Sequence, residues 1–275
     1  IDLNSTTYTS NTGSLTFTGD VDLDAGAATT TVTAGANITF TDELRDGAND
    51  TSITVSAPNL TNFQNTIGNP IGNNEIAALT TVAAGGTTDF DGAMSINTTG
   101  DQTYNDPVTL TGSVRFNLNG ANVTFNDTVD DSQPGGGTGN LRFDLNGGVA
   151  TLNGAVGGGI SLDSLDEGST TGTINIDGGE VTTTGAQTYN SAVVLGAGAN
   201  LSSSGAGITF NNTLDGPGAL TVSTGGSTIL AFNDVVGVGT ALASLDASAN
   251  GSTINITIAN APNDAIRTTG AQTYN

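Results

Sequence analysis

Cysteine, histidine, tryptophan and lysine are all missing from this chain. Without cysteine there is no disulfide, an absence compatible with export. Without histidine or cysteine there is no Ser–His or Cys–His nucleophile pair, and no imidazole or thiolate metal site. Cations number four, Arg45, Arg115, Arg142 and Arg267, against 26 acids, for a formal net charge of −22. Nucleic-acid binding depends on basic groups that neutralise phosphates, and anionic membranes attract the same groups, so neither is an expected partner. No apolar run approaches the roughly 18 residues of a helical membrane span. No signal peptide or initiator methionine opens the chain, as expected of a mature form or a segment of something longer.

Apolar residues make up 35% of the 275 positions, and they alternate with Thr, Asn and Asp rather than thinning out, which opposes disorder. The 40 glycines lack the every-third-residue period of collagen. What dominates instead is repetition. Thr-Thr-Gly-Ala-Gln-Thr-Tyr-Asn occurs at 183–190 and 268–275, and with Asp101 in place of alanine at 98–105. Gly100, Gly185 and Gly270 are evenly spaced, and Phe40, Phe125 and Phe210 keep the same spacing. Self-similarity of this kind sets the fold class. The chain divides into units 1–105, 106–190 and 191–275, each closing on the octapeptide.

Within the units a slot for a large apolar residue recurs at Phe17, Phe40, Phe63, Phe90, Tyr104, Phe125, Leu152, Ile176, Tyr189, Phe210, Phe232 and Ile256. Most steps are roughly 21–27 residues, the length of one β-solenoid coil. The two short steps, from Phe90 to Tyr104 and from Ile176 to Tyr189, each lead into an octapeptide, where the motif is expected to change face. Asn37–Thr41, Val114–Leu118, Asn122–Asn126, Thr173–Asp177 and Thr253–Thr257 alternate apolar and polar residues with the strand period. Asp-Gly, Asn-Gly and Pro-Gly pairs between them mark turns. Ala77–Leu79 and Ala241–Leu245 are too short to stand as helices. The first unit exceeds its neighbours by about one coil, an insertion that a solenoid absorbs and a closed sandwich does not. The predicted fold is therefore all-β: a right-handed parallel β-helix of tandem units of about 85 residues, one continuous solenoid over 1–275. Tandem immunoglobulin-like β-sandwiches are the alternative. About a dozen coils at about 4.8 Å each give a rod about 60 Å long. Phe17, Phe40, Tyr104, Val108, Leu110, Phe125, Tyr189, Val193, Leu195 and Phe210 are the expected core. Asn105, Asn126, Asn190 and Asn211 are expected to form amide ladders between coils.

Candidate sites are few. Asp20, Asp22 and Asp24 alternate with Val21 and Leu23, which puts three carboxylates on one strand face. They are the chain's candidate calcium site, calcium being a hard cation that takes oxygen ligands. The same spacing also reads as a solvated acidic face. Gly135–Gly139 lacks the Gly-Lys-Ser/Thr and strand–helix context of a phosphate cradle and reads as a turn. Asn-x-Ser/Thr triplets at Asn37, Asn59, Asn122, Asn126, Asn200, Asn211 and Asn255 follow from composition. Thr29–Thr33 and Thr182–Thr184 supply threonine-rich strand faces of the kind that suit ice, but in sequence they do not recur coil after coil at one spacing. Ordinary β-propensity accounts for them. A glycosidase needs two carboxyl groups at a set separation, and nothing marks one Asp out from its copies, so no enzyme activity is expected.

With Val108–Leu110 and Val193–Leu195 following the octapeptide, and Asn-Val/Ile-Thr-Phe-Asn strands after those, the chain resembles the repeat region of giant filamentous-haemagglutinin-type bacterial surface proteins. That resemblance covers all three units. It implies an extracellular, cell-surface β-helical stalk, fibre or sheath concerned with adhesion or matrix. The expected partners are further copies, end to end or in a fibre, and surface glycans. The alternatives are a carbohydrate-binding or carbohydrate-cleaving β-helix and a calcium-rigidified sandwich array.

Overall fold

The computed structural model describes residues 1–26, 28–47, 50–69, 71, 74–133, 138–226, 228–249, 253–257 and 265–275. Its short strands stack as a β-solenoid of about eleven turns, a parallel β-helix with no helix among the described residues. Three faces run its length. The first carries Asp2–Leu3, Val21–Leu23 and Leu44–Asp46, then Ile67 as a single bridging residue, then strands from Met94–Asn97 to Thr253–Ile256. The second runs from Thr7–Ser10 to Leu214–Asp215 and ends on bridges at Val236 and Ile266. The third runs from Leu15–Phe17 to Val129–Asp131, passes through Val156, and continues from Glu180–Thr183 to Gln272–Tyr274. The strands pair in parallel with the turns above and below, as at Thr39–Asn62–Asp89. Sandwiches need antiparallel pairing within closed units, so the alternative fold is excluded.

Parallel stacking in register puts like residues over like, and the core follows from that. Phe17, Phe40, Phe63 and Phe90 form a column on the third face, with successive ring centroids 4.9, 5.2 and 5.7 Å apart. These separations approach the strand spacing of about 4.8 Å. Tyr104 and Phe125 stack on the second face at 5.0 Å, and Tyr189, Phe210 and Phe232 on the first at 5.0 and 5.3 Å. Phe116 meets Phe90, Tyr104 and Phe125 edge-on, bridging the third-face column to the second. All ten residues expected in the core are buried. The asparagine ladders also form, each one rung longer than expected. Asn126 donates to Asn105 and Asn153 to Asn126 at 2.7 Å, while Asn211 donates to Asn190 at 2.6 Å and Asn233 to Asn211 at 2.7 Å.

The octapeptide is a corner piece. Thr98 ends a first-face strand and Gln102–Tyr104 begins the next strand on the second face. Inside the corner, the Tyr104 hydroxyl donates to Gln102 Oε1 at 3.0 Å, Gln102 Nε2 donates to Thr98 Oγ1 at 3.0 Å, and Thr98 donates to the Gly100 carbonyl at 2.6 Å. The same chain links Tyr189, Gln187, Thr183 and Gly185, and again Tyr274, Gln272, Thr268 and Gly270. Gln102 and Gln187 are fully buried, so the network meets hydrogen-bonding needs that the core would otherwise leave open. Glycine is required by close approach. A Cβ on Gly100, Gly185 or Gly270 would lie 2.6–2.7 Å from a carbonyl oxygen of the previous turn.

The three corners are not above one another. Gln102–Tyr104 lies on the second face, Gln187–Tyr189 on the first and Gln272–Tyr274 on the third. Eleven strand positions separate successive copies, and at three positions per turn that is three and two-thirds turns. Each repeat thus begins one third of a turn out of phase with the last. This explains the two short steps in the apolar slot: the aromatic column moves from the third face to the second at Tyr104, and from the second to the first at Tyr189. The first unit holds one whole turn more, which leaves the phase unchanged.

Candidate functional site

Three of the four arginines project from the first face. Arg45 stands beside Asp22 in the register, and Arg115, Arg142 and Asp166 are successive cross-strand neighbours. Two arginines directly opposite one another repel. Asp144 relieves that repulsion, because it pairs with Arg115 and lies 3.1 Å from Arg142 Nη2. Arg142 also pairs with Asp166.

Next to these residues lie two adjoining hollows of about 530 and 480 Å³ that share Thr66, Ser95 and Arg115. They arise where the chain gives the face only Ile67 before leaving it. Gly68 makes the exit with φ +65°, and a Cβ there would sit 2.0 Å from the Asn97 carbonyl. Asn69 and Asn74 then exchange backbone hydrogen bonds at 3.0 Å, closing a loop whose Ile71 is 80% exposed. The exit recurs once per unit, at Val156–Gly157 on the third face and Val236–Gly237 on the second, again displaced by a third of a turn.

The candidate calcium ligands are placed differently from a cation site. Asp20 and Asp22 face outward, as their alternation requires, but both pair with Arg45, which also lies 3.2 Å from Glu43. Hydrogen bonding to Asp22 first, then to Glu43, with the nearby charge of Asp20, holds the Arg45 guanidinium charged against partial burial. An arginine therefore occupies the position where a cation would be needed. Among the described residues no group of three acidic side chains is placed to hold a metal ion. Part of Gly135–Gly139 lies outside the described residues.

Acid/base chemistry on the groove would need two carboxyl groups in contrasting environments. Of the carboxylates that line the hollows, Asp20 and Glu43 pair with Arg45 and Asp166 with Arg142, while Asp42 accepts from Asn65 Nδ2 and from Glu43 N, each at 3.1 Å. Other acids are buried and serve the backbone. Asp46 accepts from Thr51 N, Asp131 from Gln133 N and Gly139 N, Asp106 from Ala84 N, and Glu167 from Ser169 N. One oxygen of Asp106 has no hydrogen-bond partner among the described residues.

These burials have a consequence for pH. Loss of solvent pushes the carboxyl groups of Asp89, Asp106 and Glu167 up from their ordinary values. Between the ordinary and the raised value the folded chain keeps protons that the unfolded chain has lost, so stability falls as pH rises through that window. The urea midpoint should be higher at about pH 5 than at about pH 8, and Glu167→Gln with Asp106→Asn should flatten the difference. The buried hydroxyls of Tyr104 and Tyr189, also pushed up by burial, extend the loss of stability to alkaline pH.

Sequence reasoning missed the arginine pairing, because partners on neighbouring turns are aligned only by coil length. Asn153 and Asn233 were equally out of reach, although each follows an apolar slot residue, Leu152 or Phe232, as Asn105 follows Tyr104. No family model matches this chain, and no curated protein or solved structure matches it either.

Proposed function

We propose that this chain is a rigid rod segment of an extracellular cell-surface fibre, stalk or sheath, concerned with adhesion or matrix and continued end to end by further repeats. One observation carries the reading: the octapeptide, the most specific motif in the sequence, is used to build the corners of the rod itself. Tyrosine, glutamine, threonine and glycine are engaged with one another in each of the three corners, the tyrosine and glutamine buried in the first two copies and exposed in the third. Asparagine ladders and aromatic columns likewise join one turn to the next. Three repeats return to the starting face after eleven whole turns, so added repeats lengthen the rod without altering its cross-section. Three of the four carboxylates that line the first-face hollows, Asp20, Glu43 and Asp166, are tied to arginine.

The test joins location to mechanics. Antibodies against the chain should label the surface of intact producing cells, and single chains pulled end to end should resist and then lengthen turn by turn. Label confined to the cell interior, or a chain that extends without resistance, defeats the proposal.

A further inference from the structure

The second face carries a pattern that the sequence hides. Thr7, Thr31, Thr54, Thr80, Thr103, Thr124 and Thr151 are successive cross-strand neighbours, a single column of threonine over seven levels, with Asn175 on the eighth. Their steps in sequence are unequal, so no fixed period shows them. Thr9, Thr33 and Ser56 make a second column two residues along, which passes through the exposed Val82 and then into the amide ladder of Asn105, Asn126 and Asn153. Hydroxyls thus recur at about 4.8 Å across the strands, and on the first three levels also at about 6.7 Å along them, with amides in the second column from Asn105 to Asn153.

A second observation concerns charge. Across the eight strands from Thr7–Ser10 to Thr173–Ile176, no outward position holds an acid or an arginine, in a chain with 26 acids. Two carboxylates lie at its margins: Asp101 sits at the corner and accepts from Asn122 N, and exposed Asp177 follows the last of these strands, one turn beyond Asn153. The outward positions of the first face, by contrast, include Asp22, Arg45, Arg115, Arg142 and Asp166. The Thr31, Thr54, Thr80, Thr103 and Thr124 hydroxyls make no hydrogen bond within the described chain, which leaves them to solvent.

We propose that this face binds ordered water, as the surface of an ice crystal. Threonine joins a methyl, which orders neighbouring water, to a hydroxyl, which anchors it. Its branched Cβ restricts χ1, so the array is held in place before binding. Rows of oxygen atoms on ice recur at similar spacings in two directions, and strongly hydrated charges that would break such rows are confined to the margins, at Asp101 and Asp177. A second copy is the competing occupant, but the face offers only about 450 Å² at these spacings. A stable interface takes roughly 800 Å² per partner.

The test uses the fluorescently tagged full chain and a slowly grown ice hemisphere. Wild-type chain should enter the ice and slow recrystallisation, and T80K and T124K should be rejected like a protein that does not bind ice. T209K, an outward threonine on the first face, should enter as wild type does. Circular dichroism melts of each variant establish that it is folded. Exclusion of the wild type from ice overturns the proposal, as does equal behaviour of T80K and T209K. Sedimentation that shows wild-type dimers lost in T80K, without ice binding, assigns the face to a second copy and overturns it too.

Discussion

Phe210→Ala should cost about 3–5 kcal/mol and should cost it locally. The ring is 1% exposed and is sandwiched between Tyr189 and Phe232 at 5.0 and 5.3 Å. Its removal leaves a void flanked by two flat aromatic faces, which the rigid strand spacing prevents from closing. In a solenoid each turn touches only its neighbours, so destabilisation spreads by contact rather than through one shared core. Hydrogen exchange should therefore quicken in Gln187–Tyr189, Ile208–Phe210 and Ile229–Phe232, while Asn37–Phe40 and Leu60–Phe63 keep their protection. Uniform acceleration along the whole chain would mean that the rod unfolds as one unit, contrary to this picture.

Gln187→Leu should be nearly as damaging, at about 2–4 kcal/mol, although leucine is similar in volume. Gln187 is the hub of its corner. Its amide donates to Val181 O, Thr183 Oγ1 and Ser202 O, at 3.1, 3.2 and 2.7 Å, and its oxygen accepts from the Tyr189 hydroxyl. Leucine leaves that hydroxyl buried with no acceptor, and each orphaned buried group costs about 1–3 kcal/mol. Adding Tyr189→Phe removes the orphan. The double variant should then be less destabilised than the two single losses added together, and denaturant midpoints across the four proteins measure that coupling. Strict additivity would show that the two side chains act independently, and the corner network would lose its claim to explain the octapeptide.

The fold was largely legible in the sequence for one physical reason. A parallel stack forces like residues over like, so Phe40, Phe125 and Phe210 announce an architecture by recurring. Even the change of face at Tyr104 and Tyr189 left its trace in two short steps. What could not be read was anything that depends on register between turns of unequal length. Asp20, Asp22 and Asp24 read as a candidate ligand set or a solvated acidic face because Arg45, a full turn away, gave no local sign that it would pair with Asp20 and Asp22. The threonine column was invisible for the same reason: the step from Thr54 to Thr80 is longer than the step from Thr103 to Thr124, yet all four stand in one line.

The third-of-a-turn displacement between repeats bears on what a longer chain of them would do. A rod whose sides differ in bulk has sides that prefer different lengths, and a mismatch kept on one side bows it. Here the corner piece and the looped exit are passed around the axis, each visiting every side once in three repeats. The bending tendencies point in three directions and cancel. Plywood stays flat by the same device, its grain turned at every ply.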